Sequence, residues 1–174
     1  MLVSNAGLSH LQPLEDSTAA QFDEMLAVNL RAPFLLAQCA AGSIRERGSG
    51  RILFISRVAA FTGGIVGPHY AASKARLHAL THFLASRLAA TGVTVNAPAP
   101  ALATETRMLP ATPAARQVPA GRLGQPSQVT DLAAAILAKA YLTNQLISLD
   151  GGIYPRQAPD GNHHGMRTSW PGSR

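Results

Sequence analysis

The stretch Arg51-Ile52-Leu53-Phe54-Ile55 decides the fold class. Four consecutive apolar residues, between the break Arg47-Gly48-Ser49-Gly50 and a glycine-rich loop, are the pattern of a strand covered on both faces, as in a parallel sheet. Upstream, Met1 to Ser4 is a second short apolar run, stopped by the turn Asn5-Ala6-Gly7. Between the two, Thr18-Ala19-Ala20-Gln21 has capping-box spacing, and Phe22, Met25, Leu26 and Leu30 continue the apolar face of a helix to about Ile44. Downstream, Leu77, Leu80, Phe83, Leu84 and Leu88 repeat with helical spacing from Tyr70 until Thr91-Gly92, and Val93 to Asn96 reads as another strand.

The segment from Pro100 to Gln125 has several prolines and no strong period, so it reads as a long loop of the kind that covers a site. A helix from about Pro126 to Ala140 and a buried strand Leu146-Ile147-Ser148-Leu149 follow, closed by Asp150-Gly151-Gly152. Strands alternating with helices imply an α/β fold with a parallel sheet and right-handed crossovers, in one domain over 1–156. Residues 157–174 read as a disordered tail, and the adjacent His163 and His164 within it lack the further ligands a metal site needs.

Composition narrows the function. The 174 residues are 47% hydrophobic and suffice for one core. The net charge of +6 comes from scattered basic residues without aromatic interleaving, so no nucleic-acid partner is expected. The single Cys39 has no intrachain disulfide partner and sits in an apolar helical run, which predicts a buried, inert thiol in a reducing compartment. No apolar stretch approaches the ~20 residues of a membrane span, and the start lacks signal-peptide regions. A cytoplasmic protein without a membrane partner is therefore expected.

Chemistry enters at Tyr70-Ala71-Ala72-Ser73-Lys74, where a phenol and an ammonium stand four apart and share one helix face. An adjacent ammonium favours phenolate, so the two can move one proton. Alone this pattern is common and is satisfied by a solvated helix start. Its company is not: Asn5-Ala6-Gly7 after a strand, Val28-Asn29 in the first helix, the pair after a glycine-rich loop, and Asp150-Gly151-Gly152 after the last strand. This ordered set, together with Pro119-Ala120-Gly121-Arg122-Leu123-Gly124-Gln125-Pro126, resembles the short-chain dehydrogenase/reductase family over Met1 to Arg156. The similarity is nearest the branch holding 3-oxoacyl-carrier-protein reductases and related sugar or alcohol dehydrogenases.

The resemblance implies hydride transfer between NAD or NADP and a small-molecule carbonyl or alcohol. It implies that Tyr70 is the proton donor or acceptor, that Lys74 lowers its pKa and binds the nicotinamide ribose, and that Asn29 holds a relay water. Asn5, Ala6 and Gly7 would lie beside the cofactor, Pro100 would pass near the nicotinamide, and Thr106 would contact the cofactor if one residue is inserted before it. A homo-oligomer is implied as well. The fold implied is the C-terminal part of a Rossmann-like doubly wound sheet, because the family's strand, glycine-rich turn and helix for the pyrophosphate would precede Met1, leaving roughly three strands absent.

Four positions depart from the family pattern. Arg57 stands thirteen residues before Tyr70, where the family has a catalytic serine, and Ser56 is one place off. Pro98 replaces an apolar strand residue and predicts an early strand end. Ala101 stands where glycine is frequent, and Arg76 does so on the Tyr70 helix. These departures motivate a second reading, a catalytically inactive relative that serves as a dimer partner or remnant.

Overall fold

In the computed structural model, residues 1–104 and 118–155 are described. The elements are β1 (Leu2–Ser4), α1 (Ala19–Leu26), a π-helical turn (Ala27–Arg31), α2 (Ala32–Glu46), β2 (Gly50–Phe54), α3 (Ala59–Thr62), α4 (Pro68–Leu88), a 3-10 turn (Ala89–Thr91), β3 (Val93–Pro100), α5 (Pro126–Ala138) and β4 (Leu146–Leu149). The four strands lie in the order β1-β2-β3-β4 and every pairing is parallel. The α/β class and its parallel sheet thus stand as the apolar runs predicted.

Strand alternation puts the helices on two faces. Ile52 and Phe54 of β2 join Val93, Val95 and Ala97 of β3 in one core with Ala37 and Ile44 of α2 and Leu77, Ala85 and Leu88 of α4. Arg51, facing the other way, donates through Nε to the Leu137 carbonyl of α5 at 2.9 Å. Thr18 caps α1 in the expected capping box with Gln21. At Gly92 the chain reverses with φ +76°, and a Cβ there would stand 2.2 Å from the Gly48 carbonyl oxygen, so only glycine fits.

Three expectations are corrected. β3 does not end before Pro98 but runs to Pro100. Its ladder with β2 stops at Leu53↔Asn96, while Ala97 to Pro100 pair with β4. Pro98 and Pro100 turn their ring nitrogens towards the β2 side, where that ladder has already stopped, and their carbonyls still accept from Ser56 N–H at 2.9 Å and Val58 N–H at 3.0 Å. The donors β4 requires come from Ala97 and Ala101, which bond Gln145 and Leu149. The prolines therefore cost the sheet little.

Cys39 is exposed on α2 rather than buried. The inner stripe of that helix is Pro33, Ala37 and Ile44, and the neighbouring Phe34, Leu35 and Leu36 also face outward. Finally, the helical run Ala19–Glu46, 28 residues, is by length and composition apolar enough to cross a membrane, although the sequence reading found no such stretch. Here it packs on the sheet through Ala37 and Ile44 and against Ala59 and Tyr70 through Met25. The expected tail lies outside the described residues except for its approach to Pro155.

Candidate active site

Pro68 occupies the first turn of α4, where its missing N–H costs nothing, and fixes the helix start two residues before Tyr70. Tyr70 and Lys74 follow on one face, at 2% and 5% exposure. Lys74 Nζ lies 6.0 Å from the Tyr70 ring centroid and donates to the Ile55 carbonyl, one residue past β2, at 3.0 Å. The pair therefore stands at the carboxyl end of the sheet, where open parallel sheets bind ligands.

The Asn5-Ala6-Gly7 turn reaches the same place from β1. A Cβ built on Gly7 would lie 3.4 Å from both Lys74 Nζ and Asn29 Oδ1. Asn29 is wholly buried in the π-helical turn. Its Oδ1 accepts from Leu8 N–H at 2.8 Å, and its Nδ2 donates to the Leu8 carbonyl at 2.9 Å and to Ser73 Oγ at 3.0 Å. Asn29 thus ties the turn after β1 to the helix that carries Tyr70 and Lys74.

The electrostatics differ from the simple phenol and ammonium picture. Burial raises the Tyr70 pKa, and the charge that opposes it is that of Arg57. Lys74 is held down at about 8, first by burial and then by the same Arg57 charge. Among the described residues no carboxylate lies within 4 Å of the Lys74 ammonium or the Arg57 guanidinium. Ser56 does not stand in for the family's serine. It is buried, with Oγ 2.8 Å from His78 Nε2 and 3.4 Å from the Lys74 carbonyl oxygen, so its hydroxyl is spent inside the fold. Burial, then the charge of His82, brings His78 down to about 4 and keeps it neutral.

Of the remaining residues, Pro100 ends β3 and borders a small cavity with Ala101, Leu102, Val118, Leu149 and Asp150. Thr106 lies outside the described residues, as does 105–117 of the long loop expected to cover the site. The described ends of that loop are pinned together by the Ala103↔Gly124 bridge and by Thr104 N–H to the Gly124 carbonyl at 2.9 Å. Arg76 is exposed and points to solvent. Sequence reasoning missed His69, buried beside Tyr70 with neither ring nitrogen bonded within the described chain. It also missed the Ser56–His78 contact, for which a serine and a histidine 22 apart gave no signal.

A parallel α/β sheet with a buried phenol and ammonium on one helix face, at the carboxyl end of its strands, defines a Rossmann-like α/β protein. The family model described as short chain dehydrogenase matches residues 1–117, and the chain belongs to that family. It is 34% identical over 165 residues to 2-dehydro-3-deoxy-D-gluconate 5-dehydrogenase of Bacillus subtilis, covering 90% of this chain and 65% of that protein. Among solved structures, it is similar to a protein of Beutenbergia cavernae assigned as an NAD(P)-dependent gluconate 5-dehydrogenase with bound NADP: TM-score 0.78, 33% identity, 87% of this chain and 65% of that one. A 3-oxoacyl-carrier-protein reductase of Brucella melitensis with bound NAD gives TM-score 0.78 and 30% identity, covering 87% and 61%. The chain therefore spans less than two thirds of the length of these relatives.

Proposed function

We propose that this chain carries the proton-transfer half of an NAD(P)-dependent oxidoreductase acting at a carbonyl or alcohol, and that it works in the cytoplasm. The observation that carries this reading is the gathering of Gly7, Asn29, Tyr70 and Lys74 at one sheet end from three separate parts of the chain. The residues present suit the ribose end of a nicotinamide cofactor. Among the described residues Lys74 Nζ has one hydrogen-bond acceptor, the Ile55 carbonyl, which leaves donors for a ribose hydroxyl. The absence of a Cβ at Gly7 keeps the approach to that ammonium open. Asn5, Ala6 and Pro100 would border the cofactor, and Thr106 is proposed for it from the sequence alone. Relatives with NADP and with NAD leave both cofactors open to this chain.

Bound there, the nicotinamide would supply or accept the hydride. In the reducing direction Tyr70 gives its phenolic proton to the carbonyl oxygen, producing the alcohol, and the neighbouring cations stabilise the phenolate left behind. Asn29 contributes by holding the Leu8 turn and Ser73 in register, and its proposed service to a relay water rests on the family resemblance.

Self-association is part of the proposal. Phe34, Leu35 and Leu36 of α2 and Phe83 of α4 are large apolar side chains left exposed, and Leu26, Leu30, Phe34 and Leu80 border one groove. Such a surface suits a second copy of the chain. The same surface, with Arg57 in place of the family's serine, favours the second reading of an inactive dimer partner. Consumption of NADH or NADPH by the purified chain with a panel of aldehydes and ketones separates the two. Turnover that disappears in Tyr70→Phe supports the oxidoreductase, and a dimer without turnover on any carbonyl supports the partner.

A further inference from the structure

β2 ends at Phe54, and the segment that follows supplies the acceptor for the Lys74 ammonium, the Ile55 carbonyl at 3.0 Å. Backbone bonds tie this segment to the sheet, Ile55 N–H to the Ser4 carbonyl and Ser56 N–H to the Pro98 carbonyl, each at 2.9 Å. Its polar ties to α4 run through side chains. Besides the Lys74 bond there is Ser56 Oγ, buried 2.8 Å from His78 Nε2 and 3.4 Å from the Lys74 carbonyl oxygen. His78 follows Lys74 by one helical turn, so the two side chains leave the same face of α4 and meet consecutive residues, Ser56 and Ile55. Phe61 of α3 sets its ring 4.6 Å from the imidazole and, on its other contact, stacks at 4.6 Å on Tyr154 beyond β4. Ala59, between Ser56 and Phe61, packs on Tyr70.

A buried serine and histidine are a costly choice for packing alone, since apolar residues of the same shape pack without needing a partner. What the polar pair adds is direction. We propose that His78 is a positioning residue: by bonding Ser56 and packing on Phe61 it clamps the segment 55–61 to α4, which sets the Ile55 carbonyl against the Lys74 ammonium and Ala59 against Tyr70. Without the clamp the long, flexible stem of a lysine lets its ammonium follow water instead. The task of Lys74 in proton transfer rests on the oxidoreductase reading; the clamp rests on these contacts alone.

The test reads the ammonium rather than turnover. The chain has two lysines, Lys74 and Lys139, the second exposed just past α5. Labelling the full chain with 13Cε-lysine therefore gives one signal to follow through an NMR pH titration and one internal reference. Held down first by burial and then by the Arg57 charge, Lys74 should titrate near 8 in the wild type. Ser56→Ala removes the bond from one side, and His78→Leu removes it from the other while keeping an apolar side chain against Phe61. Each should raise the Lys74 midpoint by about one pH unit as water reaches the ammonium, with Lys139 unmoved. The double variant should raise it no further, because both changes open the same contact. His78→Gln, which can still bond Ser56, should keep the midpoint close to the wild-type value. An unmoved Lys74 midpoint in Ser56→Ala, or shifts that add in the double variant, overturns the proposal. The wild type alone decides should the variants fail to fold: His78 should stay neutral down to about pH 4, and an imidazole that titrates near 6.5 stands in water and clamps nothing. A chain that shows the Lys74 shifts but no carbonyl turnover loses the oxidoreductase reading and keeps the clamp, whereas wild-type turnover with an unmoved midpoint in Ser56→Ala does the reverse.

Discussion

Replacing Asn29 with alanine should unfasten the site before it touches any chemistry. The amide makes four hydrogen bonds: at 2.8 Å from Leu8 N–H, at 2.9 Å to the Leu8 carbonyl, and at 3.0 Å to both Ser73 Oγ and the weaker acceptor Met25 Sδ. A typical intramolecular hydrogen bond contributes about 0.5–1.5 kcal/mol net, and a buried group left without a partner costs about 1–3 kcal/mol. The losses are not all complete. Leu8 is half-buried, so water can reach part of its backbone, and Ser73 Oγ keeps its donation to the Tyr70 carbonyl at 2.7 Å. The expected loss is therefore about 2–4 kcal/mol, which for a domain of this size lowers Tm by roughly 5–15 °C. Urea unfolding followed by far-ultraviolet circular dichroism measures it, with the m-value as a check that the native surface is otherwise unchanged. A loss below about 0.5 kcal/mol, the scatter of ordinary surface changes, would refute the view that Asn29 clamps the turn after β1 to α4.

Two further predictions concern buried basic side chains. Lys74 has its folded pKa lowered to about 8 from 10.5, so the unfolded chain binds more protons between those values, stability rises with pH through that window, and the full penalty is present at pH 7. Lys74→Met should therefore stabilise the fold by about 1–3 kcal/mol at neutral pH, after loss of the bond to Ile55, and flatten the pH dependence between 8 and 10.5 in thermal melts. His78, lowered to about 4 from 6.5, places a second window lower: stability should fall by roughly 3 kcal/mol as pH drops from 6.5 to 4. His78→Gln, which can keep a hydrogen bond to Ser56, should remove most of that slope; an unchanged slope would mean that His78 is not neutral in the fold.

Much of the architecture was legible because apolar runs and helical spacing report burial directly. The run Ile52 to Phe54 lies in β2, an inner strand of the sheet, and the capping box at Thr18 and the final strand at Leu146 stand where their residues predict. Pro98 was misread for a reason a sequence does not carry: whether a proline harms a ladder depends on which neighbour its nitrogen faces, and here the β2 ladder has already stopped. Cys39 was misplaced because α2 is apolar on more than one face, and periodicity does not say which face meets the sheet. The π-helical turn around Asn29 and the four-residue α3 are too short to leave a period.

The site divides in the same way. The grouping of Asn29, Tyr70 and Lys74 follows from motif order, but its electrostatics do not. The sequence reading gave Lys74 the task of drawing down the phenol, whereas in the fold burial raises Tyr70 and Arg57 supplies the opposing charge. Arg57 looks in the sequence like a lost serine. In the fold its charge opposes the burial that raises the Tyr70 pKa.

The central claim is that Tyr70 moves the proton in a nicotinamide-dependent carbonyl reduction, and the most direct measurement is the rate of NADH or NADPH oxidation by this chain with a carbonyl acceptor, wild type against Tyr70→Phe. The two proteins differ by one buried hydroxyl. The account predicts a wild-type rate that falls by about 10²–10⁴ in Tyr70→Phe while the variant keeps its fold. A folded Tyr70→Phe protein that reduces the carbonyl as fast as the wild type would contradict it.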